Sequence, residues 1–484
     1  MRARLVPRRV RSVSMRKLVL LSIVSALIAL ALPTPSGFAR SRAAELTYKD
    51  PGVGGFMSDN LSYVATLPVE SPGVSARVVQ LGAQRRLYVS SAKDLAVYDV
   101  TNPAIPLLMG RLDTHNWENE DVAVSKDGKT VLMSDFEGVA YLIVIEVTDL
   151  PGGLVTIVPK GYIAPGGNHT IECVDDACNW AYGSEGKTYD LRDKANPKKL
   201  AAGWSAVTKT GSSGHHVTRD SSGLMWTDTT PIYALDPSVD PANPTIVAKS
   251  DRPAMQAGKT AYQHNNIRPF ANLYDPRDTE EEQAIETLRP GEILLGEGET
   301  NFGPKCGSGS GPFATYSLRD FDVTDAAPFA PIEVFRPLNG QYDVNGDPAV
   351  NVMGCSGHWF DVSPLSTTDK IITANGWYDH GTRLFSTDGA TGHIKQLGYF
   401  QPVVGAASAA YWVGPEYVYV IDYERGLDIL HFDKDVAPPT QAEFKASWLA
   451  KLHERSPSTI AEQYFCALAQ RGGVKGQARL LSHI

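Results

Sequence analysis

The sequence predicts an all-β fold, a seven-bladed β-propeller closed by an N-terminal strand and followed by a short α-helical C-terminal tail. Three observations carry this. A strand-turn-strand unit recurs seven times, the composition is rich in turn residues, and an early strand matches the outer strand that the last unit lacks. The clearest copy is Leu95-Ala-Val-Tyr-Asp-Val-Thr-Asn-Pro-Ala-Ile-Pro-Leu-Leu108, where an apolar strand ends in Asp, an Asn/Pro turn follows and another strand leaves. Further copies lie at Tyr141 to Val158, Lys187 to Ala202, Ile232 to Ala248, Tyr316 to Phe335, Arg383 to Phe400 and Leu427 to Pro438. Between copies sit two more short strands, as in Asp121 to Ser134, where a Lys-Asp-Gly turn joins two apolar runs as a hairpin.

Each unit therefore supplies four strands from the axis outward. The last stops after its third, Leu427 to Phe432, and Leu61 to Val69 resembles the missing fourth. Donating it closes the ring and removes exposed strand edges, which a solenoid would not require. The 43 Gly and 32 Pro, with 20 Tyr and 8 Trp, describe short strands with punctuated turns. A length of 484 residues would suggest three domains, but a closed repeat fold grows around one axis instead.

Residues 1–44 read as a secretory signal: seven Arg or Lys before Leu18, an apolar run from Leu18 to Leu32, then small residues around Ala39 and Ala43. The run of ~15 apolar residues is short for a membrane-spanning helix, which needs ~20. No later segment is apolar and long enough to span, so the mature chain is expected to be secreted or at the cell surface. Residues 45–436 form the propeller. Residues 437–484 carry Phe444, Trp448, Leu449 and Leu452 at helical spacing and read as a helical extension. The net charge of −9, with basic residues concentrated in the leader, leaves an acidic body that has no attractive field for nucleic acid.

These units resemble the LVIVD-repeat family of bacterial extracellular propellers, whose motif Leu95-Ala-Val-Tyr-Asp99 approximates across residues 61–435. The resemblance implies a secreted or surface location and no agreed activity.

In register, five consecutive units place a metal-ligand side chain at or just before the inner strand: Glu120, His169, His215, His264 and His358, with His264 offset by one residue. Inner strands surround a propeller's axis, so these residues converge on one level of the channel. Several imidazoles and a carboxylate can hold iron, copper or zinc with one position open. Four histidines from different blades also resemble the iron site of carotenoid oxygenases in ligand arrangement alone. The competing reading is a water-lined plug whose side chains hydrogen-bond to one another.

The same face is expected to carry a ligand pocket with His216, Trp117, Trp377, Tyr378, His380 and Glu297. Trp377 and Tyr378 equally suit packing between loops. Glu297 and Glu299 suit a proton acceptor or a further ligand, but spacing does not select them over surface carboxylates. In an exported protein, Cys173 and Cys178 can bridge a hairpin, and Cys306 and Cys355 can fasten the mouth loops. Cys466 is left over. No Gly-x-Ser-x-Gly elbow, phosphate-binding loop, dinucleotide fingerprint or His-Glu-x-x-His helix occurs. Two functions follow: a metal-dependent oxidoreductase or hydrolase acting on a small molecule, or a binding module for an extracellular protein, glycan or cell-wall partner.

Overall fold

Among the described residues, hydrogen-bonded strand order gives seven antiparallel sheets, six of them four-stranded and one five-stranded. The structure is a computed structural model and describes residues 55–67, 73–114, 119–135, 141–208, 214–229, 231–250, 262–276, 287–299, 310–320, 331–337, 353–402 and 405–440. The expected leader, Trp117, Cys306, Cys466 and residues 441–484 of the expected C-terminal extension lie outside the described residues. Among the described residues no helix is long and apolar enough to cross a membrane.

Blade 1 begins with Gly73–Leu81, blade 2 with Ala123–Val124, blade 3 with Ile171–Cys173 and blade 4 with Val217–Arg219. Blade 5 begins with Tyr262–Ile267, blade 6 with Phe360–Val362 and blade 7 with Ala407–Trp412. The repeated sequence unit is the outer hairpin of each blade, as in Asp94–Asp99 paired with Leu107–Asp113. Each sheet is covered on both faces by its neighbours, so its central strands are apolar at consecutive positions. Leu142, Ile143, Val144 and Ile145 are all buried, which explains why the unit reads as a continuous apolar run rather than an alternating one. Side chains from adjacent blades interleave, and one such core joins Leu67, Ala76, Leu87, Tyr98, Ile421 and Leu427.

Leu61–Leu67 pairs antiparallel with Gly426–Phe432 and supplies the outer strand of blade 7, as the sequence predicts. The chain does more than close the ring. Gly55–Met57 first pairs with Ile394–Pro402 and becomes a fifth strand of blade 6, so the N-terminal segment staples two blades. Ser58 Oγ accepts from Tyr399 N at 3.0 Å, and Asn60 Nδ2 donates to Leu397 O at 2.9 Å, anchoring the segment between its strands.

Cys173 and Cys178 form a disulfide across the turn after the inner strand of blade 3, with Cα atoms 4.8 Å apart. Cys355 is also disulfide-bonded.

Candidate metal centre

Short inner strands position the site. In blades 2, 3, 4 and 6 they begin two or three residues after Glu120, His169, His215 and His358, so these four side chains enter the channel from the ends of loops. His264 lies inside its strand instead, at a register shift between Gln263 and Asn265. A bulge re-aims the residue it inserts, and this one accounts for the one-residue offset seen in the sequence.

The five side chains meet. His169 Nε2 lies 2.9 Å from Glu120 Oε2, His215 Nε2 and His264 Nε2 each lie 3.3 Å from that oxygen, and His358 Nε2 lies 3.3 Å from Oε1. Around them runs a belt of contacts between blades. Glu120 N donates to His169 O at 3.2 Å, and Thr170 Oγ1 donates to His215 O at 2.5 Å. His215 Nδ1 reaches His264 O at 3.3 Å, and His358 Nδ1 reaches Ser408 O at 2.9 Å. Ser408 Oγ donates to Val74 O at 3.2 Å, and Ser75 Oγ donates to Asn119 O at 3.1 Å, completing the level in blades 7 and 1.

The belt also sets tautomers. A carbonyl only accepts, so the Nδ1 atoms of His215 and His358 carry the proton and their Nε2 lone pairs face the Glu120 carboxylate. Buried Glu120 Oε2 and His358 Nε2 make no hydrogen bond of acceptable angle with described residues. Acceptor thus faces acceptor at 3.3 Å for His215 and His358, an arrangement that a cation or a proton between them relieves. Burial alone would raise the Glu120 carboxyl, but the imidazoles of His169 and His358 outweigh it and hold the group well below its ordinary range. Burial lowers His215 and His264, keeping them neutral, the form that ligates metals. His358 moves the other way because Glu120 outweighs its burial, so a proton would compete with any ion for its Nε2.

Access is one-sided. The side chains of His169 and His215 are 20% and 11% exposed, whereas those of His264 and His358 are 0% exposed. Trp359 packs its ring edge-on to His264 and His216, with centroids 4.7 and 4.9 Å apart, and walls the deeper side. Beside it lies a second polar level, Asp121, Glu172 and His216, of which the sequence reading named only His216. Arg77 donates to Glu172 at 2.5 Å and to Asp121 at 3.4 Å, so a fixed guanidinium already supplies the cation there. The adjacent residue numbers, Glu120 with Asp121 and His215 with His216, were the available signal.

The pocket residues divide. His216 and Tyr378 adjoin the imidazole cluster, Tyr378 through a ring 4.7 Å from that of His358. Trp377 packs with Phe335 and Phe385 in an apolar core between strands of blades 5 and 6, away from the mouth loops expected to hold it. Buried His380 is held well below its usual range by burial and by Arg383. Glu297 accepts from Asn375 at 3.3 Å, and burial drives its carboxyl well upward. Glu299, two residues later, is the carboxylate that reaches the centre: its Oε2 lies 3.9 Å from His264 Nε2, and its Oε1 accepts from Tyr378 at 2.6 Å.

No family model matches this chain, and no curated protein matches it. The chain is similar to the β-propeller domain of Myceliophteria thermophila Cps50 (Swd1) at 11% identity and TM-score 0.49, covering 77% of this chain and 99% of that one. It is also similar to U3-55K at 9% identity and TM-score 0.46, covering 77% and 98%. The WD40 repeats of RRP9 match at 9% identity and TM-score 0.46, covering 78% and 100%. Likeness at this level concerns fold alone, and the blade count rests on the strand order given above.

Proposed function

We propose that the channel holds a transition-metal ion on His169, His215, His264, His358 and Glu120, and that the protein is a metal-dependent oxidoreductase or hydrolase acting on a small molecule. The single observation that carries this reading is the set of four Nε2 atoms, each from a different blade, 2.9 to 3.3 Å from one carboxylate. With ligand bonds of about 2.0 to 2.2 Å, neighbouring donors in octahedral or tetrahedral shells sit ~2.9 to 3.5 Å apart. The imidazole-carboxylate set suits iron, copper or zinc, and such an ion supplies Lewis-acid or redox chemistry. The protein's part is to orient the donors through the belt and to admit a ligand past His169. Export is part of the proposal, supported by the leader pattern and by the Cys173–Cys178 disulfide.

Metal analysis tests it. Purified protein should hold near-stoichiometric iron, copper or zinc, directly or after reconstitution, and a His169→Ala, His358→Ala double variant should lose it. A well-folded protein that stays metal-free after reconstitution with all three would sink the metal reading and leave the extracellular binding module.

A further inference from the structure

The metal reading leaves a charge imbalance. A divalent ion held by four neutral imidazoles and Glu120 carries a net positive charge at a level where His264 and His358 are 0% exposed. An uncompensated charge in such surroundings is costly, and a second anion within reach removes it. The structure assigns that role to Glu299: we propose that it is a further carboxylate ligand of the same ion, with Tyr378 as the residue that positions it. This inference rests on the metal reading above.

Geometry selects Glu299. It ends the second strand of blade 5, Ile293–Glu299, and its carboxylate, His215 and His264 offer ligand atoms all within 4.8 Å of one another. Its Oε2 faces His264 Nε2 at 3.9 Å, while its Oε1 is engaged by the Tyr378 hydroxyl at 2.6 Å. Glu297, on the same strand, is instead committed to Asn375 at 3.3 Å, and a Cβ on Gly357 would meet its Oε1 at 2.4 Å.

Tyr378 is built in place. It occupies the turn between the second and third strands of blade 6 with φ 27°, a region that L side chains rarely adopt. The Asp379 carboxylate accepts from Met353 N at 3.0 Å and Gly354 N at 2.7 Å, and Ala407 N donates to Tyr378 O at 2.9 Å. Backbone strain retained by such bracing marks a side chain whose placement matters.

The test is a cobalt(II) titration of the full chain after chelator treatment, followed by visible absorbance and by competition with a chromophoric chelator. Glu299→Gln is expected to weaken cobalt binding and to shift the visible bands, and Tyr378→Phe, which removes the residue orienting that ligand, to weaken it about 10- to 100-fold. The metal-free melting midpoint of Glu299→Gln should stay near that of the unmodified chain. If Glu299→Gln lowers that midpoint, Glu299→Asp replaces it and should show intermediate affinity with altered bands. Unchanged affinity and bands in the Glu299 variants overturn the assignment while leaving the metal centre standing. Failure of the unmodified chain to bind cobalt overturns both.

Discussion

At the scale of single residues, Asp228 shows how burial shapes chemistry next to the channel without joining it. It is 4% exposed, and its Oδ1 accepts from Asn266 Nδ2 at 2.7 Å. Burial pushes its carboxyl well above the ordinary value of 3.8, only partly offset by that hydrogen bond. The folded state therefore keeps its proton where the unfolded state has lost it. This contribution to stability is flat at low pH and falls as pH rises above about 4, by up to ~1.4 kcal/mol per pH unit, until the folded carboxyl ionises. Asp228→Asn, neutral throughout, should flatten that part of the urea-midpoint profile and unfold at higher urea than the unmodified chain at pH 7.5. A steeper profile would contradict it. The same scale holds what the sequence concealed. Ser75 and Ser408 hold the equivalent places in blades 1 and 7, outside the ligand series, and each bonds across to a neighbouring blade at the same level.

At the scale of elements, a buried ion pair in blade 7 anchors the strand that closes the ring. Arg425 Nε donates to Asp428 Oδ2 at 2.6 Å and its other nitrogen to Oδ1 at 3.2 Å, a two-point grip. Thr66 of the N-terminal strand donates to the same carboxylate, and Tyr63 reaches Thr66. Asp428 is 0% exposed, so removing its partner strands a charge. Arg425→Met should cost ~3 kcal/mol of unfolding free energy, since breaking one side of a buried pair costs ~3 to 5. Adding Asp428→Asn should recover part of that loss in a double-mutant cycle, and strict additivity would show that the pair is not coupled. The pairing of Leu61–Leu67 with the last blade was legible because the final repeat lacks a strand. The pairing of Gly55–Met57 with blade 6 was not, because three residues of extended chain have no repeat to match.

At the scale of the whole molecule, the blades form a ring whose last interface exists only if the N-terminal segment is present. A chain beginning at residue 73 would leave the third strand of blade 7, Gly426–Phe432, as an unpaired edge and uncover Ile421 and Leu427. An exposed apolar strand edge templates association. Such a truncation should elute as oligomers and unfold at lower urea in size-exclusion and denaturation experiments, whereas a chain beginning at residue 55 should match the full one. Equal behaviour of the two would show that the donated strand is dispensable. The ring also makes the candidate site: five blades each deliver one donor to the axis, and none of the five can form the cluster alone.

By itself the sequence determined the blade count, the closing strand and the level at which histidines recur. Repeated patterns of apolar runs and turns are local, and registering them needs no knowledge of distance. Only the tertiary structure decided how the donors face one another. Whether Nε2 or Nδ1 of His358 points at Glu120 depends on the Ser408 carbonyl 50 residues away in the next blade. That Glu299 rather than Glu297 faces the cluster goes with a Tyr378 hydroxyl 79 residues along the chain. Both are set by contacts between blades, where sequence spacing carries no information about direction.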